Sequence, residues 1–260
     1  MTAVARQAPI ELKSPREIEL LNQAGHVAAA ILMDLKRSVV AGMTTKDVDA
    51  LAARKMKERD VKPAFLNYRG FPAVVCASVN EEVVHAIPGP RTLKEGDLLS
   101  LDIGIFLNGY CGDTATSFVV GGKASAPQAT LMAAGALSLE ASIQAAVLGN
   151  RLGDVSHAMQ TVVEKAGFHV VREYGGHGIG RAMHEEPHVP CFGTPGTGIR
   201  LAEGMVLALE VMANAGTADI RHKADQWTVV TADNSLSVHY EKMVAITDRG
   251  TVLLTPHDDT

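Results

Sequence analysis

Asp102 and Asp113 are the only charged residues in the stretch Leu98–Asp113, and their spacing suits cation binding. Leu99, Leu101, Ile103 and Ile105 alternate along it, so Ser100, Asp102 and Gly104 share the opposite face of a strand. Asn108-Gly109 is a two-residue hairpin signal. A tight turn there pairs Leu107 with Tyr110 and Gly104 with Asp113, which puts Asp113 on the face of Asp102 and diagonal to it. Diagonal neighbours stand about 7–8 Å apart at their Cα atoms. An odd-length loop would separate the faces. On one face, two inward carboxylates repel unless a cation lies between them. Singly, each Asp suits a turn cap or a solvated position; as a pair on an apolar hairpin they favour a metal.

The second half of the chain supplies matching groups. Met205 to Met212 alternates so that Ala208 and Glu210 share a face, in a segment too apolar for a casual surface Glu. In Ser237 to Ile246, His239 and Glu241 share one face, with Val238, Tyr240 and Val244 opposite, so His239 is expected within reach of Glu241. A buried carboxylate needs a cationic partner. No Lys or Arg lies near Glu210 in sequence, and Lys242 falls on the face away from Glu241. Between these segments, Gly175, Gly176, Gly178 and Gly180 surround His177 and let backbone approach a ligand closely. This run lacks the lysine of a P-loop and the strand-turn-helix setting of a dinucleotide loop. His184 to His188 matches the H-E-x-x-H zinc pattern, but that pattern works on a helix and Pro187 opposes one. A lone His in a glycine-rich loop is more often structural. Joined to four inward carboxylates, it suits two hard or borderline divalent ions, such as manganese, iron, cobalt or zinc, bridged by shared carboxylates.

The elements that must position these groups come in a repeated order. Ser14-Pro15-Arg16-Glu17 caps a long amphipathic helix that should end near Gly42, and Thr44 with Asp47 opens a second, to about Asp60. Strand-like segments follow at Ala73–Val79 and Asp97–Val120. Helices over about Pro127–Leu148 and Gly153–Ala166 come next, then strands almost to the end. Gly42 precedes Asp47-Val48 by five residues, as Gly149 precedes Asp154-Val155. These features predict an α+β fold: two similar halves around one antiparallel sheet, helices outside. A single domain over residues 14–260, after a lead of residues 1–13, is the expected organisation.

Composition narrows the class. The 260 residues are 47% hydrophobic, enough for a full core, and contain no apolar run long enough to span a membrane. Residues 1–14 lack the apolar centre of a secretory signal. Cys76, Cys111 and Cys191 form no C-x-x-C pair, which favours a reducing cytoplasm. A net charge of −5 without a basic cluster argues against direct nucleic-acid binding.

The ordered set Asp102, Asp113, His177, Glu210 and Glu241, with the wording of Asn80–Pro88, Gly176–Pro187 and Ser235–Glu241, resembles the methionine aminopeptidases. The resemblance runs from about Ser14 to Leu254, and fits the short bacterial type I form, with neither a zinc-finger extension nor a large helical insertion. It implies the pita-bread fold of two pseudo-symmetric halves and a site for two divalent metal ions. By position, Asp102 would chelate one ion, Asp113 and Glu241 would bridge both, and His177 and Glu210 would complete the other. The implied nucleophile is a water between the ions, with Glu210 as proton acceptor. His184 would act at the carbonyl oxygen and His85 at the scissile nitrogen. Tyr68, Phe71, Cys76 and Trp227 would form the methionine pocket, although these four also suit plain core packing.

The implied activity is release of the initiator methionine from nascent polypeptides near the ribosome, with a small second residue preferred, by a cytoplasmic monomer. Five positions depart from the family pattern: Met183 for an aromatic, Ala208 and Met243 for threonines, Val211 for a proline, and His239. They bear on metal preference and pocket shape. The alternatives are an Xaa-Pro peptidase of the same fold, which usually carries a large N-terminal domain, and a non-catalytic binding protein on this scaffold.

Overall fold

Ser14 starts the first helix as its sequence predicts. In the computed structural model, which describes residues 9–259, α1 (Pro15–Ser38) opens with a reciprocal cap. The Ser14 N–H donates to Glu17 Oε2 at 3.0 Å, and the Glu17 N–H donates to Ser14 Oγ at 3.4 Å. The helix stops at Ser38, short of Gly42, because Val39 is already extended and carries the apolar pattern on outside the helix. Thr44 and Asp47 cap α2 (Thr45–Glu58) in the same way, at 2.8 and 3.1 Å. The first half continues with β1 (Lys62–Pro63), a 3₁₀ turn at Tyr68–Gly70, β2 (Val75–Val79), β3 (Glu82–Val84), β4 (Leu98–Leu107) and β5 (Tyr110–Val119). The second half begins with α3 (Ala126–Ala145) and α4 (Leu152–Lys165), followed by β6 (His169–Val170), β7 (Gly175–Gly178) and β8 (Glu185–Pro190). It ends with β9 (Val206–Asn214), β10 (Ile220–His222), β11 (Val229–Thr231), β12 (Ser237–Thr247) and β13 (Gly250–Leu253).

The main sheet is antiparallel, with the path β1-β4-β5-β12-β9-β7-β8, and β2, β6 and β13 are added beside β4, β9 and β12. A second sheet of β10, β11 and β3 stands apart from it, where one sheet was expected. Its strands are three residues long, too short for a period of two to register in the sequence. In the β4–β5 hairpin Leu107 pairs with Tyr110 and Gly104 with Asp113, the register the turn signal predicts. In the second half Glu210 of β9 lies directly opposite Glu241 of β12. The halves join where β5 meets β12, at the single registered pair Ala115–Glu241. Side-chain hydroxyls bind this seam further: Thr114 Oγ1 donates to Glu241 O at 2.7 Å and Ser117 Oγ to His239 O at 2.9 Å.

The glycine–aspartate echo has a structural counterpart. Gly42 and Gly149 both take positive φ, +94° and +91°. Their N–H groups donate to Leu93 O and Leu201 O. Asp47 and Asp154 each accept from the N–H three residues before them, and isolated bridges join Thr44 to Thr92 and Arg151 to Arg200. Further on, Val120 N–H donates to Asp97 O as Ile246 N–H does to Met205 O.

Apolar residues of β4 (Leu99, Leu101, Ile103) pack on α1 and α2 in one core, and Leu207, Leu209, Val238 and Tyr240 pack with α3 and α4 in another. Two glycines let helix and sheet approach closely. A Cβ on Gly112 of β5 would stand 2.5 Å from Ala24 O in α1, and one on Gly135 of α3 would stand 2.8 Å from the Tyr240 ring. Residues 1–8 of the expected lead lie outside the described residues. Of the rest, Ile10 packs on the second core and Lys13 is buried. No helix among the described residues is long and apolar enough to cross a membrane.

Candidate metal centre

A cavity of about 380 Å³ opens over the inward face of the main sheet. Asp102 and Asp113 enter it from β4 and β5, Glu210 and Glu241 from β9 and β12, and His177 from β7. Strand alternation thus brings all five together, with their apolar neighbours turned to the helices. Asp113, His177 and Glu241 are buried and offer ligand atoms that all lie within 4.8 Å of one another. Asp102 and Glu210 line the same space outside that tighter group.

Three features fit a cation here. Asp102 Oδ1 and Asp113 Oδ1 are buried without a hydrogen-bond partner, a costly arrangement for carboxylates unless something else meets them. His177 Nδ1 donates to Gly178 O at 2.9 Å, which leaves the Nε2 lone pair turned to the site, 3.9 Å from Glu241 Oε1. Burial, and then the neighbouring carboxylates, push Asp102, Asp113 and Glu241 well above the usual carboxylate range, a repulsion that positive charge would relieve. Burial acts the same way on Glu210, but His239 outweighs it and holds Glu210 down at about 2. Oxygen-rich donors with one imidazole suit divalent ions of the manganese-to-zinc class.

His239 keeps the face expected of it but not the expected partner: its Nε2 donates to Glu210 Oε2 at 3.0 Å, not to Glu241. Its own cross-strand partner is Met212, so Glu210 lies on the diagonal within reach of a long ring. His85 and His184 also line the cavity. Desolvation pushes both rings down to about 4, with His177 adding to the effect on His184. Tyr68 Oη lies 2.7 Å from His184 Nδ1, and the ring of His184 stacks edge-on against His177 at 4.3 Å. His85 sits at φ +58°, a left-handed conformation that a non-glycine residue adopts at a cost.

Tyr68, Phe71, Cys76 and Trp227 all reach the cavity. Phe71 and Trp227 meet edge to face at 5.1 Å, and Cys76 lies opposite Asp102 in the β2–β4 pairing, its thiol pushed well up by burial. The departures have local accounts. Met243 Sδ accepts the Asp113 N–H at 3.2 Å; Ala208 sits between His177 and Met243; Met183 forms part of the wall; Val211 is core. The rejected zinc pattern falls on strand β8.

Sequence reasoning missed Phe65, Tyr174 and Glu185 as lining residues. Gly104 was the available signal for Phe65, since a Cβ there would meet that ring at 2.5 Å. Tyr174 packs on His85 at 5.2 Å, and its only sequence mark is its place before the glycine run.

Known proteins resemble this chain in both sequence and fold. The model of metallopeptidase family M24 matches residues 19–248. The methionine aminopeptidase of Clostridium acetobutylicum is 47% identical over 247 residues, 95% of this chain and 98% of the relative. The crystal structure of methionine aminopeptidase from Thermotoga maritima superposes with a TM-score of 0.93 at 42% identity, covering 96% of this chain and all of that one. Prolidase from Pyrococcus furiosus shares the fold alone, at 20% identity and a TM-score of 0.74, over 95% of this chain and 66% of its own.

Proposed function

This chain belongs to metallopeptidase family M24 and, within it, to the methionine aminopeptidases, and from that premise we propose that it releases the initiator methionine from nascent polypeptides, best where the second residue is small. One observation supports this above the rest. The carboxylate–histidine cluster and the aromatic wall of Phe71 and Trp227 share one cavity. Such a cavity suits a charged amine at one end and a thioether at the other.

In the proposed site Asp102, Asp113, His177, Glu210 and Glu241 hold two divalent cations, drawn from manganese, iron, cobalt and zinc. Asp102, Asp113 and Glu241 would supply carboxylate oxygens to them, and His177 and Glu210 would complete the set of ligands. When bound, such cations acidify a water and polarise the scissile carbonyl. The side chains of the chain itself orient the substrate and move protons. Because His239 occupies Glu210 Oε2, Oε1 is the oxygen left to accept a proton from the attacking water. If Tyr68 donates to His184 Nδ1, the hydrogen of the ring sits on Nε2, which can donate to the carbonyl oxygen as charge develops there. With values near 4, His184 and His85 are neutral at physiological pH, so each acts as a neutral donor, His85 at the scissile nitrogen. Tyr68, Phe71, Cys76 and Trp227 enclose the methionine side chain. Three buried free cysteines agree with a reducing cytoplasm, where the protein would meet new N-termini near the ribosome as a monomer.

A panel of short peptides varied at the first two residues, assayed with manganese, cobalt, iron or zinc, tests the reading. Methionine should be released, fastest before glycine, alanine or serine. Efficient cleavage of Xaa-Pro peptides with other first residues would move the protein to the prolidase side.

A further inference from the structure

Lys13 precedes α1 and is not among the residues of the proposed site, yet only 4% of its side chain is exposed. Its Nζ stands 2.6 Å from Glu185 Oε2 and 3.0 Å from Glu11 Oε2. Glu11 is 66% exposed, so that pair contributes little. Glu185 is 13% exposed and lines the catalytic cavity. Its second oxygen, Oε1, accepts the Ala182 N–H at 3.1 Å, and Gly180 N–H donates to Ala182 O at 3.1 Å. The Glu185 carboxylate therefore braces the Gly180–Glu185 turn from inside, and this turn carries Met183 and His184. Gly180 makes room for the brace: a Cβ there would come within 2.5 Å of Glu185 Oε1 and 2.6 Å of Lys13 Cε. Cys111 N–H, donating to Gly180 O at 2.9 Å, and Arg181, stacked on Tyr110 at 4.5 Å, tether the other side of the turn.

Glu185, with its neighbour Glu186, thus adds to a cavity already lined by Asp102, Asp113, Glu210 and Glu241. Without a counter-charge it is repelled by those carboxylates, and it is attracted to any cation they bind, so it would leave its brace. Burial alone would lower the pKa of Lys13, but Glu185 and Glu11 together more than offset this, and the ammonium stays charged. The Lys13 backbone is fixed as well, its N–H donating to Gly204 O at 2.7 Å.

We propose that Lys13 is a positioning residue of the aminopeptidase site: its ammonium holds Glu185 as the brace of the Gly180–Glu185 turn, and so fixes where His184 meets the substrate carbonyl. This rests on the role given to His184 above. The test compares full-length metal-loaded parent, Lys13→Met, and Lys13→Met with Glu185→Gln, all well below their melting temperatures. Hydrogen exchange at the Ala182 amide should rise roughly tenfold in Lys13→Met, with β9 and β12 unchanged. On a methionyl-alanyl peptide its kcat should fall roughly tenfold at unchanged metal content, since misplacing a catalytic group by about 1 Å can cost on the order of 100-fold. In the double variant the Gln oxygen still accepts from Ala182 and needs no counter-charge, so kcat should return to within about threefold of the parent. A merely structural Lys13 would lower the melting temperature without that recovery. Unchanged exchange, unchanged kcat, or a double variant as slow as Lys13→Met each overturn the proposal. If the parent released no methionine, the functional reading would fall instead, and the exchange measurement would still decide whether Lys13 braces the turn.

Discussion

The hydrogen bond from His239 Nε2 holds Glu210 Oε2 and leaves Oε1 as the oxygen for the proton-accepting role proposed for this carboxylate. His239 is buried and Glu210 largely so, and loss of the bond would free Glu210 to turn. Removing a partner that orients a metal ligand typically costs about 10–100-fold in affinity or activity. His239→Leu is therefore expected to weaken manganese binding to the metal-free protein by roughly tenfold or more. His239→Gln, which keeps a donor, should stay within about threefold. Calorimetric titration of both variants measures this, and parental affinity in His239→Leu would remove the role. Asp102, Asp113, Glu210 and Glu241 stood out in sequence as carboxylates on strands with apolar residues on the other face, and His177 as the one ring in a run of glycines. The partner of His239 did not, since it depends on the register between β9 and β12, which neither strand encodes alone. Phe65 and Tyr174 escaped for a related reason: they reach the cavity from segments without periodicity.

At the level of elements, the site depends on how tightly each helix lies against its hairpin. Gly112 and Gly135 mark two close approaches, one against backbone and one against a ring. Gly112→Ala would drive a methyl into Ala24 O, and neither strand nor helix can yield without moving Asp113 or α1. Overpacking of this kind costs about 1–3 kcal/mol, and the upper end is expected at Gly112. Gly135→Ala meets Tyr240 and Val238 side chains and gains about 1 kcal/mol of helix propensity, so its net loss should be smaller. Urea unfolding of the two variants checks the order; equal losses would show that backbone and ring yield alike. The helices were readable from their caps, Ser14 with Glu17 and Thr44 with Asp47, because capping is local chemistry. Strands β3, β10 and β11 were not, being short enough that tertiary pairing alone defines them.

Over the whole molecule, charge concentrated in one cavity couples stability to pH and to metal. Asp102, Asp113 and Glu241 ionise near pH 4 when unfolded, but only well above that in the metal-free fold. Between those values the native state holds the extra protons, so stability falls as pH rises. His85 and His184, at about 4 in the fold and about 6.5 unfolded, act oppositely, and their contribution is lost as pH falls below about 6.5. The window of Glu210, from about 2 to its ordinary value, lies lower still. Above about pH 6.5 the histidines have reached their full contribution, and the raised carboxylates and the buried thiols of Cys76, Cys111 and Cys191 act in the same direction, so the chelated protein should lose melting temperature as pH rises from there. Manganese at about 100 times its Kd should restore about 2.7 kcal/mol. Melting curves of chelated and loaded protein across that range test both statements, and a flat chelated profile would contradict the first. The doubled plan was visible in sequence as helices then strands, twice over, and as the echo of Gly42-Asp47 in Gly149-Asp154; the seam between the halves left no mark, because it is one registered pair and a few hydroxyls. That seam makes the molecule a pair of jaws laced together. The aspartates ride on one jaw, in the β4–β5 hairpin, and the glutamates on the other, in the paired strands β9 and β12. Thr114 and Ser117, which line no part of the cavity, are the hydroxyls that tie the two together.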